Sequence, residues 1–139
     1  MRLWHKDLIP YLPKSQLWLL GQWRELNSIY VKEDKHILIN FIYNYRPTHL
    51  LAYSQAILRE MVKRGYRFNL EKYNNYFKSK GLSDDYIAFE GDSYIVITPF
   101  EHDMNNVYLK ICCWNLYEKY IRGQEGFTEE SIKFIRENI

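Results

Sequence analysis

Arg24 and Glu25 are the residues best placed to do chemistry, a cation and a carboxylate side by side among Leu17, Leu19, Leu20, Trp23 and Leu26. A carboxylate in such apolar surroundings is partly desolvated, which raises its affinity for a proton and suits it to proton transfer. An Arg-Glu pair is equally an ordinary surface ion pair, so the pair alone leaves both readings open. The other reactive types show no pattern. His5, His36, His49 and His102 lack ligand spacing of the HExxH kind. Cys112 and Cys113 are adjacent, which suits neither a CxxC metal site nor a disulfide framework. Walker, dinucleotide-fingerprint and GxSxG patterns are absent from the sequence. No metal and no cofactor are expected.

The elements that must position the pair are mostly helical. Leu19, Leu20, Trp23, Leu26 and Tyr30 recur at steps of three to four residues and predict a helix from about Gln16 to Tyr30, capped by Ser15. Arg24 and Glu25 then flank the buried stripe, where a cleft-lining pair would sit. Before it, Pro10 and Pro13 close a short first element. After it, residues 31–36 are polar and read as a loop, and Ile37 to Tyr45 fits either a strand or a short buried helix. The clearest helix runs from 48 to 64, capped by Thr48 and ended by Gly65, with Leu51, Ser54, Ile57, Leu58, Met61 and Val62 on one face. A short helix within 69–80 ends at Gly81, and a longer one from about Glu101 to Arg122 stops at Gly123. Thr128 caps a final helix whose first turn carries Glu129 and Glu130. Between them, residues 86–98 hold two β-prone runs around Glu90-Gly91-Asp92, and read as a short hairpin or an irregular loop. The fold class is mainly α: one helical bundle domain spanning residues 1–139.

Composition narrows the function. No apolar run approaches the roughly 18 residues that span a membrane, no signal peptide is visible and only two cysteines occur, so a monomer in the reducing cytoplasm is expected. Residues 1–80 hold 14 Lys and Arg against 6 Asp and Glu, while residues 81–139 hold 5 against 11. A basic front suits a polyanion, although the two halves could also neutralise one another in the fold. Thirteen Tyr, seven Phe and four Trp supply rings that either stack on displaced bases or fill the core. Lys63, Arg64 and Arg67 gather at the end of the clearest helix, to complement its dipole or to hold phosphate.

Several short motifs fall in a familiar order. Met1-Arg2-Leu3 opens the chain, Arg24-Glu25-Leu26 follows, Lys63-Arg64-Gly65-Tyr66 closes a helix and Pro99-Phe100-Glu101-His102 opens another. In these the chain resembles the pyrimidine-dimer DNA glycosylases, the small endonuclease V type repair enzymes of phages and bacteria. The resemblance implies a helical 37–45 segment, a double-stranded DNA substrate with a damaged or modified base, and catalysis without metal. It also implies that the nucleophile is the α-amine of the first residue. With an ordinary pKa of about 7.7 to 8.0, an α-amine is partly neutral at cellular pH, where a lysine is not. The amine attacks C1′ of the damaged nucleotide, expels the base and leaves an imine with the sugar, from which β-elimination cuts the strand.

Carried onto this sequence, the resemblance gives Met1 the amine, Glu25 the carboxylate that stabilises the cationic sugar, and Arg2 and Arg24 the flanking phosphates. Arg2 is too bulky for efficient removal of the methionine before it, so Met1 itself is expected to supply the amine after deformylation. A further arginine that the family places soon after the Arg-Glu pair is absent here, where Asn27, Ser28 and Ile29 follow Leu26, and the lesion is left open. His5, Lys35 and His36 join Lys63, Arg64 and Arg67 as candidate DNA contacts. The competing readings are a non-catalytic helical module that binds damaged or bent nucleic acid, and a protein-interaction domain.

Overall fold

The computed structural model describes residues 2–82, 87–88 and 95–139, and for 87–88 and 95–96 the backbone alone. After an extended N-terminal segment the chain forms a 3-10 helix (Lys6–Tyr11), α1 (Lys14–Leu17) and α2 (Gln22–Lys32). A second 3-10 helix (Asn40–Asn44) leads to α3 (Pro47–Lys63) and α4 (Glu71–Ser79). The strands β1 (Ile87–Ala88) and β2 (Ile95–Val96) precede α5 (Asn106–Ile121) and α6 (Glu129–Glu137). The architecture is mainly α, and no helix among the described residues is long and apolar enough to cross a membrane.

The core is built around α3. Pro47 fits its first turn, where a missing N–H costs nothing, and Gly65 takes the left-handed conformation (φ 76°) that ends it. From Leu50 to Ile57 every residue is buried, so α3 is wrapped on all sides rather than on one face; Val62, expected on that face, is exposed. On one side α2 and α4 meet through Tyr30, whose ring lies 5.5 to 5.9 Å from those of Tyr73, Tyr76 and Phe77. The Tyr30 hydroxyl reaches Ser54 Oγ on α3 at 2.5 Å, satisfying two buried polar groups at once. On the other side α5 buries Leu109, Cys112, Cys113 and Leu116, and α6 packs across α5 and the first 3-10 helix, where Phe134 stacks on Tyr11 at 4.2 Å.

Four boundaries differ from the sequence expectation. The helix expected over 16–30 is broken into α1 and α2 by a turn at residues 18–21. Gly21 allows it: a Cβ there would lie 2.2 Å from the Gln16 carbonyl carbon, so the chain folds back on itself more closely than any side chain permits. Leu19 and Leu20 consequently leave the helical stripe and are exposed. The 37–45 segment is helical but as a five-residue 3-10 helix. Helix α5 is capped by Asn105, whose side chain accepts the Tyr108 N–H, so Glu101, His102 and Asp103 lie in a preceding turn rather than in the helix. Within 86–98, the two strands pair in parallel, Ile87 with Ile95 and Ala88 with Val96, whereas the strands of a hairpin are antiparallel. Residues 89–94 lie outside the described part of the chain.

Candidate active site

The N-terminal segment runs through the core, held on three sides. From α2, Gln22 accepts the Trp4 N–H at Oε1 (2.7 Å) and donates from Nε2 to the Arg2 carbonyl (3.1 Å). From α3, the Tyr53 hydroxyl lies 2.7 Å from the Trp4 carbonyl oxygen, and from α5 the Tyr108 hydroxyl donates to the Leu3 carbonyl. Leu3, Trp4 and Gln22 are all buried, so these bonds satisfy the Trp4 N–H and the Arg2, Leu3 and Trp4 carbonyls where water is excluded. Burial pushes the Tyr53 and Tyr108 hydroxyls well above the usual phenol range; at Tyr108 the Arg2 guanidinium, 5.9 Å from the ring centre, pulls the other way.

Beside this segment opens a cleft of about 320 Å³. Arg2 and Trp4 form one wall, Gln22 and Glu25 of α2 another, and Asn115 and Lys119 of α5 a third, with Leu20 and Leu38 at the rim. Glu25 sits three residues after Gln22, which places the two on neighbouring turns of one helix face. Among the described residues Glu25 is paired with neither Arg24 nor another cation, and its Oε2 is buried without a hydrogen-bond partner. An orphaned carboxylate oxygen is costly, and it is positioned to accept a hydrogen bond or stabilise a positive charge entering the cleft. Two cations, Arg2 and Lys119, face one carboxylate there, a balance that admits a phosphate-bearing ligand.

Arg2, Trp4, Gln22 and Glu25 come from the first half of the chain, and Tyr108, Asn115 and Lys119 from the second. Residues 1–74, just over half of the 139, match the family model described as pyrimidine dimer DNA glycosylase. The chain belongs to that family. It is accordingly a DNA repair glycosylase, with DNA as its substrate. No curated protein and no solved structure gives a significant match.

The glycosylase brings together some of the residues that the sequence singled out and separates others. Arg2 and Glu25 share the cleft, while Met1 lies outside the described residues. Arg24, exposed on α2, does not line the cleft and is not the partner of Glu25. Lys35, 5.7 Å from the Tyr43 ring centre, and His36 are exposed on the loop that carries Leu38 to the rim; His36 Nδ1 accepts the Leu38 N–H at 3.2 Å. Lys63 and Arg67 are exposed at the far end of α3.

Two expected contacts have other work. His5 is 3 % exposed, with Nδ1 accepting the Asp7 N–H at 3.1 Å and Nε2 therefore donating to the Met104 carbonyl at 2.9 Å. Both ring nitrogens are occupied and burial lowers its pKa, so it is a neutral strut rather than a phosphate contact. Arg64 pairs with Glu60 at 2.8 Å and donates to the Leu12 and Pro10 carbonyls at 2.7 and 3.1 Å. It serves the unpaired carbonyls at the end of the first 3-10 helix, which leaves little of its fork for DNA.

Gln22, Tyr53, Tyr108, Asn115 and Lys119 were not found from the sequence. Only Gln22 left a trace, as a polar residue on the stripe it shares with Leu26 and Ile29; the tyrosines are indistinguishable among thirteen.

Proposed function

We propose that this glycosylase excises a pyrimidine dimer or another altered base and then cuts the strand at the abasic site, through an imine formed by the α-amine of Met1. The observation that carries the reading is the hydrogen bond from Gln22 to the Arg2 carbonyl, which holds the residue after Met1 in the cleft that Glu25 lines with a partnerless carboxylate oxygen. Arg2 lines that cleft, and the amine of the proposal belongs to the residue bonded to it.

In this reading the target nucleotide is rotated out of the stack into the cleft. The neutral amine adds to C1′ as the bond to the base breaks, and the base leaves with the electron pair and acquires a proton. Glu25 stabilises the positive charge that develops on the sugar, accepts a proton from the attached amine and returns one to O4′ as the C1′–O4′ bond breaks and the ring opens to the imine. The imine acidifies the 2′ protons; loss of one expels the 3′ phosphate by β-elimination. Arg2 and Lys119 hold phosphate beside the reacting sugar, and Arg24, Lys35, His36, Lys63 and Arg67 extend the basic footprint along the duplex.

The test is borohydride trapping of untagged protein on duplex DNA with an abasic site. A covalent adduct mapped to Met1 and abolished by an N-terminal tag is expected. Tight, salt-dependent binding with no adduct would overturn the reading in favour of a non-catalytic DNA-binding module.

A further inference from the structure

Large apolar side chains stand exposed at the mouth of the cleft. Leu20 is 78 % exposed, Ile37 79 % and Leu38 42 %, and Leu20 and Leu38 line the same cleft as Arg2 and Glu25. They come from two separate turns, each tied down. The 18–21 turn is closed by the Gly21 N–H on the Trp18 carbonyl at 2.8 Å. Trp18 is itself fixed, donating its indole N–H to the Arg67 carbonyl at 2.7 Å and stacking on Tyr66 at 4.8 Å. Gly21 makes the turn possible, so the fold admits a tight backbone approach that leaves Leu20 in water. The second turn is held by His36, whose carbonyl accepts the Asn40 N–H at 2.8 Å, and by Ile39, which is fully buried and plants the base of the turn in the core.

We infer that Leu20 and Leu38 are wedges that enter the base stack of duplex DNA and fill the space left when a nucleotide rotates into the cleft. The inference rests on the glycosylase reading above and names the groups recognised: the faces of the bases on either side of the vacated position. A nucleotide leaves the stack only at the cost of its stacking, and an apolar side chain inserted at that step replaces part of it. Exposed cations lie near both tips in the sequence, Arg24 four residues after Leu20 and Lys35 three residues before Leu38, and both are groups suited to phosphate. A protein partner covering the same apolar rim would have to bury Arg2, Glu25 and Lys119 with it.

The experiment uses untagged wild type, Leu20→Ala, Leu20→Gln, Leu38→Ala and the Leu20→Ala/Leu38→Ala double variant. The probe is an abasic-site duplex with 2-aminopurine directly beside the abasic position. Two signals are read at saturating protein, the fluorescence rise that marks unstacking of the 2-aminopurine and the yield of borohydride-trapped adduct. Wild type should give both. The Leu20 variants and the double variant should lose at least about threefold of the fluorescence rise and a clearly smaller share of the adduct yield, because an abasic nucleotide has no base to displace. Wild-type adduct with no fluorescence rise, or a rise that survives in the double variant, would overturn the wedge and leave the amine chemistry standing. Loss of both signals to the same extent in the Leu20 variants at an unchanged melting temperature would also overturn it, since Leu20 would then serve binding in general. No adduct from wild type would remove the underlying reading and this inference with it.

Discussion

A single buried side chain clamps the N-terminal segment to α2: Gln22 Nε2 donates to the Arg2 carbonyl at 3.1 Å while its Oε1 accepts the Trp4 N–H at 2.7 Å. The clamp fixes the segment's height against the helix that carries Glu25. Gln22→Leu keeps the bulk but strands the buried Trp4 N–H and the Arg2 carbonyl. It is expected to destabilise the fold by about 1–3 kcal/mol in urea unfolding, and to slow adduct formation in protein that is still folded. Unchanged stability and an unchanged trapping rate would show that the clamp sets neither.

Glu25 faces the cleft with its buried Oε2 lacking a hydrogen-bond partner among the described residues, so replacing its charge should cost little elsewhere. Glu25→Gln is nearly isosteric and removes the ability to balance a cationic sugar or carry a proton. Base excision should fall by about 10²- to 10⁴-fold, the usual contribution of such a group, while duplex binding and melting temperature stay close to wild type. A variant with full excision activity would return Glu25 to a purely structural role.

How far the sequence displayed this arrangement depends on what each local signal encodes. Helix α3 was legible because Pro47 and Gly65 punctuate it, and both act through their own backbone geometry. The break between α1 and α2 was hidden because Leu19 and Leu20 continue a helical spacing; what decides the turn is the approach of Gly21 to the Gln16 backbone, a contact that periodicity does not record. Arg24 and Glu25 were read as a pair, yet adjacent residues on a helix point about 100° apart, and only Glu25 turns into the cleft. Of three cations at the end of α3, the one that became structural was the one set beneath the carbonyls of Pro10 and Leu12, a partnership 52 to 54 positions distant in the chain.

Acid should loosen the fold through buried His5 and half-buried His49. Burial lowers the pKa of His5 below its ordinary 6.5, outweighing the pull of Asp7 in the opposite direction, and burial lowers His49 likewise. Each accepts a backbone N–H at Nδ1, from Asp7 and from Phe100, which a protonated ring cannot do. The unfolded chain therefore takes up protons first as pH falls. Their contribution is fully present above 6.5 and declines as pH drops from there towards the lower folded values. Melting temperature measured from pH 7.5 to 5 should fall, and His5→Gln should flatten the decline. A wild-type curve that is level or rising over that range would contradict this assignment.

The basic end of α3 separates structure from DNA binding within a few residues. Arg64 is one-fifth exposed at its side chain and bonds to Glu60, Leu12 and Pro10, so Arg64→Ala leaves two carbonyls and a carboxylate short of partners. It should lower the unfolding midpoint in urea and leave the salt dependence of duplex binding in folded protein nearly unchanged. Lys63 and Arg67 are exposed, and their alanine variants should keep wild-type stability. If they touch phosphate, each should reduce the slope of log affinity against log salt by about one. The measurement is duplex binding across a salt series with all three variants. A slope that falls for Arg64→Ala and for neither neighbour would reverse the assignment, making the buried fork the DNA contact and the exposed cations mere solubilising charge.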